Sequence, residues 1–338
     1  MTPEQLAVTI DAALRDILAG DVSEGDPQQL LGSCDQRVAA DLPPVVVRRP
    51  ARREHGDWAT AIALRVAAPA GRRPRELAAE LAERLGATAG IATATVAGPG
   101  FVNVTLDTAA AGELARTIVT AGSAYGRVVD EGSLVDEGSQ LAEHVSGREA
   151  VAVPEAASVA ITTLEPAGAR HVEALAGVIG RDAAGFALLR AEAESSVDAD
   201  PARWAARDLH NPLFAVQSAH ARAHVAAEVA AAAGVRREDA FVPELLDAAE
   251  DSALLAALAD YPQAVSQATA RREPRRVTTL LEEVAVAYHR WRDLHPIRPP
   301  GDAPITDAHR TRLWLDAATR QVLGSGLALL GVSAPQRI

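Results

Sequence analysis

Ile91-Ala92-Thr93-Ala94-Thr95-Val96, Gly98-Pro99-Gly100 and Phe101-Val102-Asn103-Val104-Thr105-Leu106 follow one another in the first third of the chain. Two short runs rich in β-branched residues, joined by a Gly-Pro-Gly spacer, predict a β-hairpin. Immediately upstream, residues 74–86 have Pro74 at the entry, Leu77, Leu81 and Leu85 at four-residue steps and Gly86 at the exit, which predicts a helix. Pro43-Pro44-Val45-Val46-Val47 is a further β-branched run. At the start, Thr2-Pro3-Glu4-Gln5 places a capping hydroxyl, a proline at the first helical position and a glutamine three residues after the cap, followed by Leu6, Ile10, Leu14 and Leu18. Residues 1–126 are therefore expected to form a small α+β domain.

The pattern changes twice downstream. Residues 127–180 are acidic and broken by Gly132, Gly138 and Gly147, with one apolar run at Val151-Ala152-Val153 and Val159-Ala160-Ile161 and a helix-like tail from His171. This segment is expected to be a partly ordered connector. It is too short for a nucleotide-binding domain of Rossmann type, because one strand-helix-strand unit takes about 30 residues and a site needs several. Residues 181–338 have helical period almost throughout, with helices expected over 181–194, 211–233, 243–260, 262–271, 274–294 and 306–330. Short connections at Asn211-Pro212, Gly234, Tyr261-Pro262, Glu273-Pro274 and Pro299-Pro300-Gly301 predict an all-α helical bundle.

Composition excludes several chemistries. All 33 basic residues are arginine, so lysine Schiff bases and phosphate-loop lysines are ruled out. The formal net charge of −12 is the wrong sign for a non-specific nucleic-acid binder. Residues 43–84 nevertheless carry nine arginines against five acids, a local excess of four positive charges. Cys34 is the single cysteine, so neither an intramolecular disulfide nor a cysteine-based zinc site is expected, and no cofactor is implied. No apolar stretch reaches the ~18 residues of a membrane span and no leader pattern opens the chain, so the expected compartment is the cytoplasm, with no membrane partner.

In family order, several phrases resemble the arginyl-tRNA synthetases. Glu54-His55-Gly56-Asp57-Trp58-Ala59-Thr60, Arg73-Pro74-Arg75-Glu76-Leu77-Ala78 and Pro99-Gly100-Phe101-Val102-Asn103 are similar to that family's N-terminal tRNA-binding domain. Asp182-Ala183, Asn211-Pro212, Gln217-Ser218-Ala219-His220-Ala221-Arg222, Tyr261-Pro262, Glu273-Pro274 and Leu329-Leu330-Gly331-Val332-Ser333-Ala334-Pro335 are similar to its helical DALR-type anticodon-binding domain. The resemblance implies that Phe101 and Asn103 read a base of the tRNA D-loop, the ring by stacking and the amide by its paired donor and acceptor. On the residues alone the alternative is that Phe101 is a core aromatic and Asn103 a turn residue. Arg52, Arg53, Arg73 and Arg75 are candidate phosphate contacts within the arginine group that also holds Arg48, Arg49 and Arg72, with a solvated face as the alternative. Gln217, His220 and Arg222 are the candidate tRNA contacts on the anticodon side.

Departures from the family pattern matter. Ala215 and Ser218 stand where the family carries tyrosines, a loss of roughly 1–3 kcal/mol per stacked base. Gly185 replaces the arginine that follows Asp-Ala-x. None of the nine histidines lies in a His-x-Gly-His phrase, and there is no lysine to handle pyrophosphate, so no ligase activity is expected. The resemblance thus implies a non-catalytic paralogue that binds tRNA, with arginine tRNA the first candidate, in a regulatory or accessory role. The alternative is a protein-interaction module that docks on a synthetase or an amino-acid biosynthetic enzyme. His220 and His224 share a helix face but lack a third ligand, so no metal is expected. Arg271, Arg272, Arg275 and Arg276 flank Glu273-Pro274 as a second basic group. Trp291 is read as a core anchor rather than a stacking platform.

Overall fold

A computed structural model describes residues 1–20, 42–50, 52–127, 166–191, 197, 199–299, 301 and 303–338. Cys34 and most of the expected acidic connector lie outside the described residues. By contacts the chain divides into two compact units, Met1–Leu114 with Val242–Asp247 and Ala115–Phe241 with Ala248–Ile338.

The first unit is α+β. Helix α1 (Pro3–Gly20) opens with the expected reciprocal cap: the Gln5 amide N–H donates to Thr2 Oγ1 at 3.2 Å and the Thr2 N–H to Gln5 Oε1 at 2.8 Å. Its Leu6, Ile10, Leu14 and Leu18 ladder is fully buried. Strands β1 (Val47–Arg48), β2 (Trp58–Thr60), β3 (Ile91–Ala97) and β4 (Phe101–Leu106) form an antiparallel sheet in the order β1-β2-β4-β3. Helix α2 (Ile62–Val66) follows β2, and α3 (Pro74–Gly86) buries Leu77, Leu81 and Leu85 against the sheet and α1.

Two close approaches fix this arrangement. At the hairpin tip Gly98 and Gly100 have φ of 54° and 152°, and a β-carbon on Gly100 would lie 3.1 Å from Pro74 and from Leu64. At the other end of β4, a β-carbon on Gly56 (φ 107°) would lie 2.8 Å from the Val104 carbonyl oxygen. The neighbouring Asp57 donates its N–H to that carbonyl at 2.9 Å and accepts the Leu106 N–H on Oδ2 at 2.8 Å. The His55-Gly56-Asp57 phrase is thus a clasp on β4, with Trp58 in the core beside it.

The second unit is helical. Helix α4 (Thr108–Ala121) spans the division between the units, and α5 (Pro166–Ile179) begins five residues before the tail expected from His171. Then come α6 (Arg181–Arg190), a short α7 (Pro201–Ala205), α8 (Pro212–Ala232), α9 (Ala249–Ala259), α10 (Tyr261–Arg271), α11 (Arg275–Leu294) and α12 (Asp307–Leu329). Asn211 caps α8, accepting from the Leu213 and Phe214 N–H groups. The expected helix over 243–260 starts late: Asp251 accepts the Ala248 N–H at 3.0 Å and so opens α9 there. Pro243–Leu245 forms a separate 3-10 turn that belongs to the first unit.

Helices α8, α11 and α12 pack on one another, and two buried polar bonds anchor α11, one to α9 and one to α12. The buried Trp291 donates its indole N–H to Asp251 at 2.7 Å, and the buried Tyr288 hydroxyl donates to Asp316 at 2.7 Å. Burial pushes the Asp316 carboxyl up to about 7, against the opposing pull of the Tyr288 bond and of Arg292, Arg320 and Arg222. Gly326 permits close contact between α12 and α11, since a β-carbon there would lie 2.5 Å from Leu281 Cδ2.

Two outcomes follow for stability. Gly326→Ala gains helix propensity of ~1 kcal/mol but overpacks a fully buried leucine at ~1–3 kcal/mol, so its thermal midpoint falls; Gly86→Ala, with open space around it, raises the midpoint. Between pH ~4 and ~7 the folded state holds the Asp316 proton more tightly than the unfolded chain, so this group's contribution declines as pH rises through that window. Buried His220 and half-buried His289, whose pKa values burial lowers, act in the opposite sense. The difference between wild-type and Asp316→Asn melting curves from pH 5 to 8 isolates the carboxyl: the wild-type midpoint drops relative to the variant as pH rises.

Candidate nucleic-acid interface

Alternation along β4 separates its side chains. Val102 and Val104 face the helices together with their cross-strand partners Thr60 and Trp58, and all four are buried. Phe101, Asn103 and Thr105 point to the opposite face. There the register aligns Arg48 with Ala59, Ala59 with Asn103 and Asn103 with Thr95, one residue from each of the four strands. Phe101 pairs with Ala97 in the adjacent row and is 40% exposed, which removes the core-aromatic reading. Asn103 is in mid-strand rather than in a turn, and only 8% exposed. Among the described residues its amide has no hydrogen-bond partner.

The basic residues do not form one patch. Gly100 against Pro74 brings Arg73 and Arg75 to the Phe101 end of the sheet. Arg52 and the 3-10 turn Arg53–His55 lie toward the other end, where Gly56 meets Val104 and Thr105, about 13 Å along the strand at roughly 3.3 Å per residue. Arg52 pairs with Glu54 at 3.3 Å and Arg73 with Glu76 at 3.2 Å, both at exposed positions where ion pairs are weak and exchangeable. Arg72 bonds Glu80, and Arg49 lies 4.3 Å over the Trp58 ring. Arg48 and Arg75 are exposed and have no partner among the described residues. Arg48 was one of seven arginines in the basic group, and only the strand register distinguishes it as the one aligned with Asn103.

On the helical side the three candidate residues are engaged within the unit. Gln217 donates to the Ser333 carbonyl at 3.0 Å and to Asp182 at 3.3 Å, and Ser333 in turn bonds Asp182. His220 is buried with Nδ1 2.9 Å from the Pro335 carbonyl, and a β-carbon on Gly324 would lie 3.3 Å from its Nε2. Arg222 reaches Asp293 at 2.6 Å, joining α8 to α11. Ala215 is buried, and Ser218 lies 3.2 Å from His289 Nε2, so neither position presents a stacking ring. Trp291 is fully buried, as its reading as a core anchor requires. Among the described residues no group of three or more potential ligands could hold a metal, and no helix is long and apolar enough to cross a membrane.

If these bonds are structural, Gln217→Ala and His220→Ala lower the thermal midpoint by the equivalent of about 1–2 kcal/mol each, as expected when buried or partly buried hydrogen bonds are lost. Differential scanning of the two variants checks this.

Comparison with known proteins matches two separate stretches of the chain. Residues 4–106 match the family model described as arginyl tRNA synthetase N terminal domain, and residues 216–338 match the DALR anticodon binding domain. An arginine–tRNA ligase of Kineococcus radiotolerans is 50% identical over 167 residues, 49% of this chain and 30% of that protein. One from Clavibacter sepedonicus is 49% identical over 164 residues, 48% of this chain and 29% of that protein. The matched region spans about a third of the length of these curated relatives. The ligase of Micrococcus luteus aligns with all of this chain at 29% identity over 566 positions, far more than the 338 residues here, so a large part of that alignment has no counterpart in this chain. The solved Thermus thermophilus arginyl-tRNA synthetase superposes with a TM-score of 0.39 at 25% identity over 54% of this chain and 31% of its own. The matched domains are the non-catalytic ones, and the chain is an arginyl-tRNA synthetase-like protein carrying that family's N-terminal and DALR anticodon-binding domains.

Proposed function

We propose that this chain is a non-catalytic, cytoplasmic tRNA-binding protein of accessory or regulatory role, which grips RNA mainly through the open sheet face of its α+β unit. One observation carries the reading: Phe101 offers an exposed ring beside Asn103, whose amide sits low on the same face with no hydrogen-bond partner among the described residues. A ring with an adjacent amide donor and acceptor that no described residue engages suits a splayed loop base, which presents a π-face and a polar edge. Arg73 and Arg75 at the same end of the sheet supply charge for the backbone. Arginine tRNA is the first candidate because both matched domains have arginyl-tRNA synthetase relatives. The absence of lysine from the whole chain, and of a His-x-Gly-His phrase, argues against independent aminoacylation.

A second reading, docking on a synthetase or metabolic enzyme, is favoured by the internal engagement of Gln217, His220 and Arg222 and by the net charge of −12. Recovery of a protein and no RNA with the purified chain would decide for it.

The test is a titration of labelled arginine-tRNA transcript at several salt concentrations. Phe101→Ala and Asn103→Ala each weaken binding by roughly 5- to 100-fold, consistent with about 1–3 kcal/mol for a stacked or hydrogen-bonded base. Affinity indifferent to both substitutions and to salt overturns the proposal.

A further inference from the structure

We infer that Arg48 and Ala59 complete a one-nucleotide trough on this sheet face, Ala59 as its floor and Arg48 as the phosphate contact for the nucleotide held at Phe101 and Asn103. This rests on the RNA-binding reading above and assigns it two further residues. The cross-strand row Arg48, Ala59, Asn103, Thr95 is fixed by backbone pairing. With strands about 4.8 Å apart, Arg48 lies about 10 Å from Asn103 at the backbone, with the small side chain of Ala59 between them. A methyl flanked by longer side chains leaves a depression between the amide and the guanidinium. The separation suits a nucleotide whose base edge meets the amide while its phosphate lies on the far side of the sugar.

The electrostatics agree. The paired residues of this face are Arg48, Ala59, Phe101, Asn103, Thr105, Thr93, Thr95 and Ala97, which include one cation and no acid, in a chain with an excess of acids over bases. Arg48 is exposed and takes no carboxylate among the described residues, unlike Arg52 and Arg73, so it needs no prior ion pair to be broken. Its strand neighbour Val47 is buried, which holds the backbone that aims Arg48 outward.

The experiment titrates the full chain with a labelled arginine-tRNA transcript from 50 to 300 mM KCl, for wild type and Arg48→Gln, Arg48→Lys, Ala59→Leu and Phe101→Ala. Loss of one phosphate contact makes the slope of log K against log salt shallower by about 0.7–0.9 in Arg48→Gln, with Arg48→Lys retaining the wild-type slope. Ala59→Leu, which fills the trough, weakens binding at least 10-fold with the slope unchanged. Melting curves identify any variant that fails to fold, and Arg48→Gln, altering an exposed side chain, remains decisive if Ala59→Leu does not. An unchanged slope in Arg48→Gln alongside weakened binding by Phe101→Ala overturns the trough while leaving the RNA reading in place. Binding insensitive to Phe101→Ala, or absent in wild type, overturns both.

Discussion

The backbone contact between Gly100 and Pro74 is the constraint from which the geometry of the α+β unit follows. With no β-carbon at residue 100, the hairpin tip seats directly on the first turn of α3, where a β-carbon would meet the Pro74 carbonyl oxygen and ring as well as the Leu64 side chain. That seating turns Val102 and Val104 into the core and leaves Phe101 and Asn103 on the outer face. The Asp57 clasp fixes the opposite end of the same strand. A six-residue strand held at both ends has little freedom to slip, and a one-residue slip would exchange its two faces.

Local chemistry explains which parts of this were legible from residues alone. The Thr2–Gln5 cap and the Leu6 to Leu18 ladder act within a few residues, as do the hairpin glycines, and all appear where the sequence places them; Asn211, expected as a break between helices, is there as the cap of α8. The start of α9 departs from the apolar period, which continues back through Leu245 and Leu246, because Asp251 sets the boundary by accepting the Ala248 N–H. Helix α4 leaves little signal in the sequence, since Thr108-Ala109-Ala110-Ala111-Gly112 has little apolar contrast.

The candidate site divides along the same line. Phe101 and Asn103 lie two apart on a strand, so alternation alone places them on one face. The arginines are linked only through tertiary contacts, and the structure separates Arg52 and Arg53 from Arg73 and Arg75 while aligning Arg48 with Asn103. Gln217, His220 and Arg222 share a helix, but their partners at Ser333, Pro335 and Asp293 are 71 to 116 residues away. Sequence proximity groups them as a motif; the bonds they form are those of an internal brace.

Helix α12 carries Gly324 and Gly326 within its last two turns and buries Thr311 and Thr319 along its length. These are poor helix formers, so the segment taken alone would be largely unstructured in water. Its regular shape is induced by α8 and α11, which in turn need its apolar side for their own burial. Helix α12 therefore borrows its order from alanine-rich α8 and from α11, and forfeits it when it parts from them.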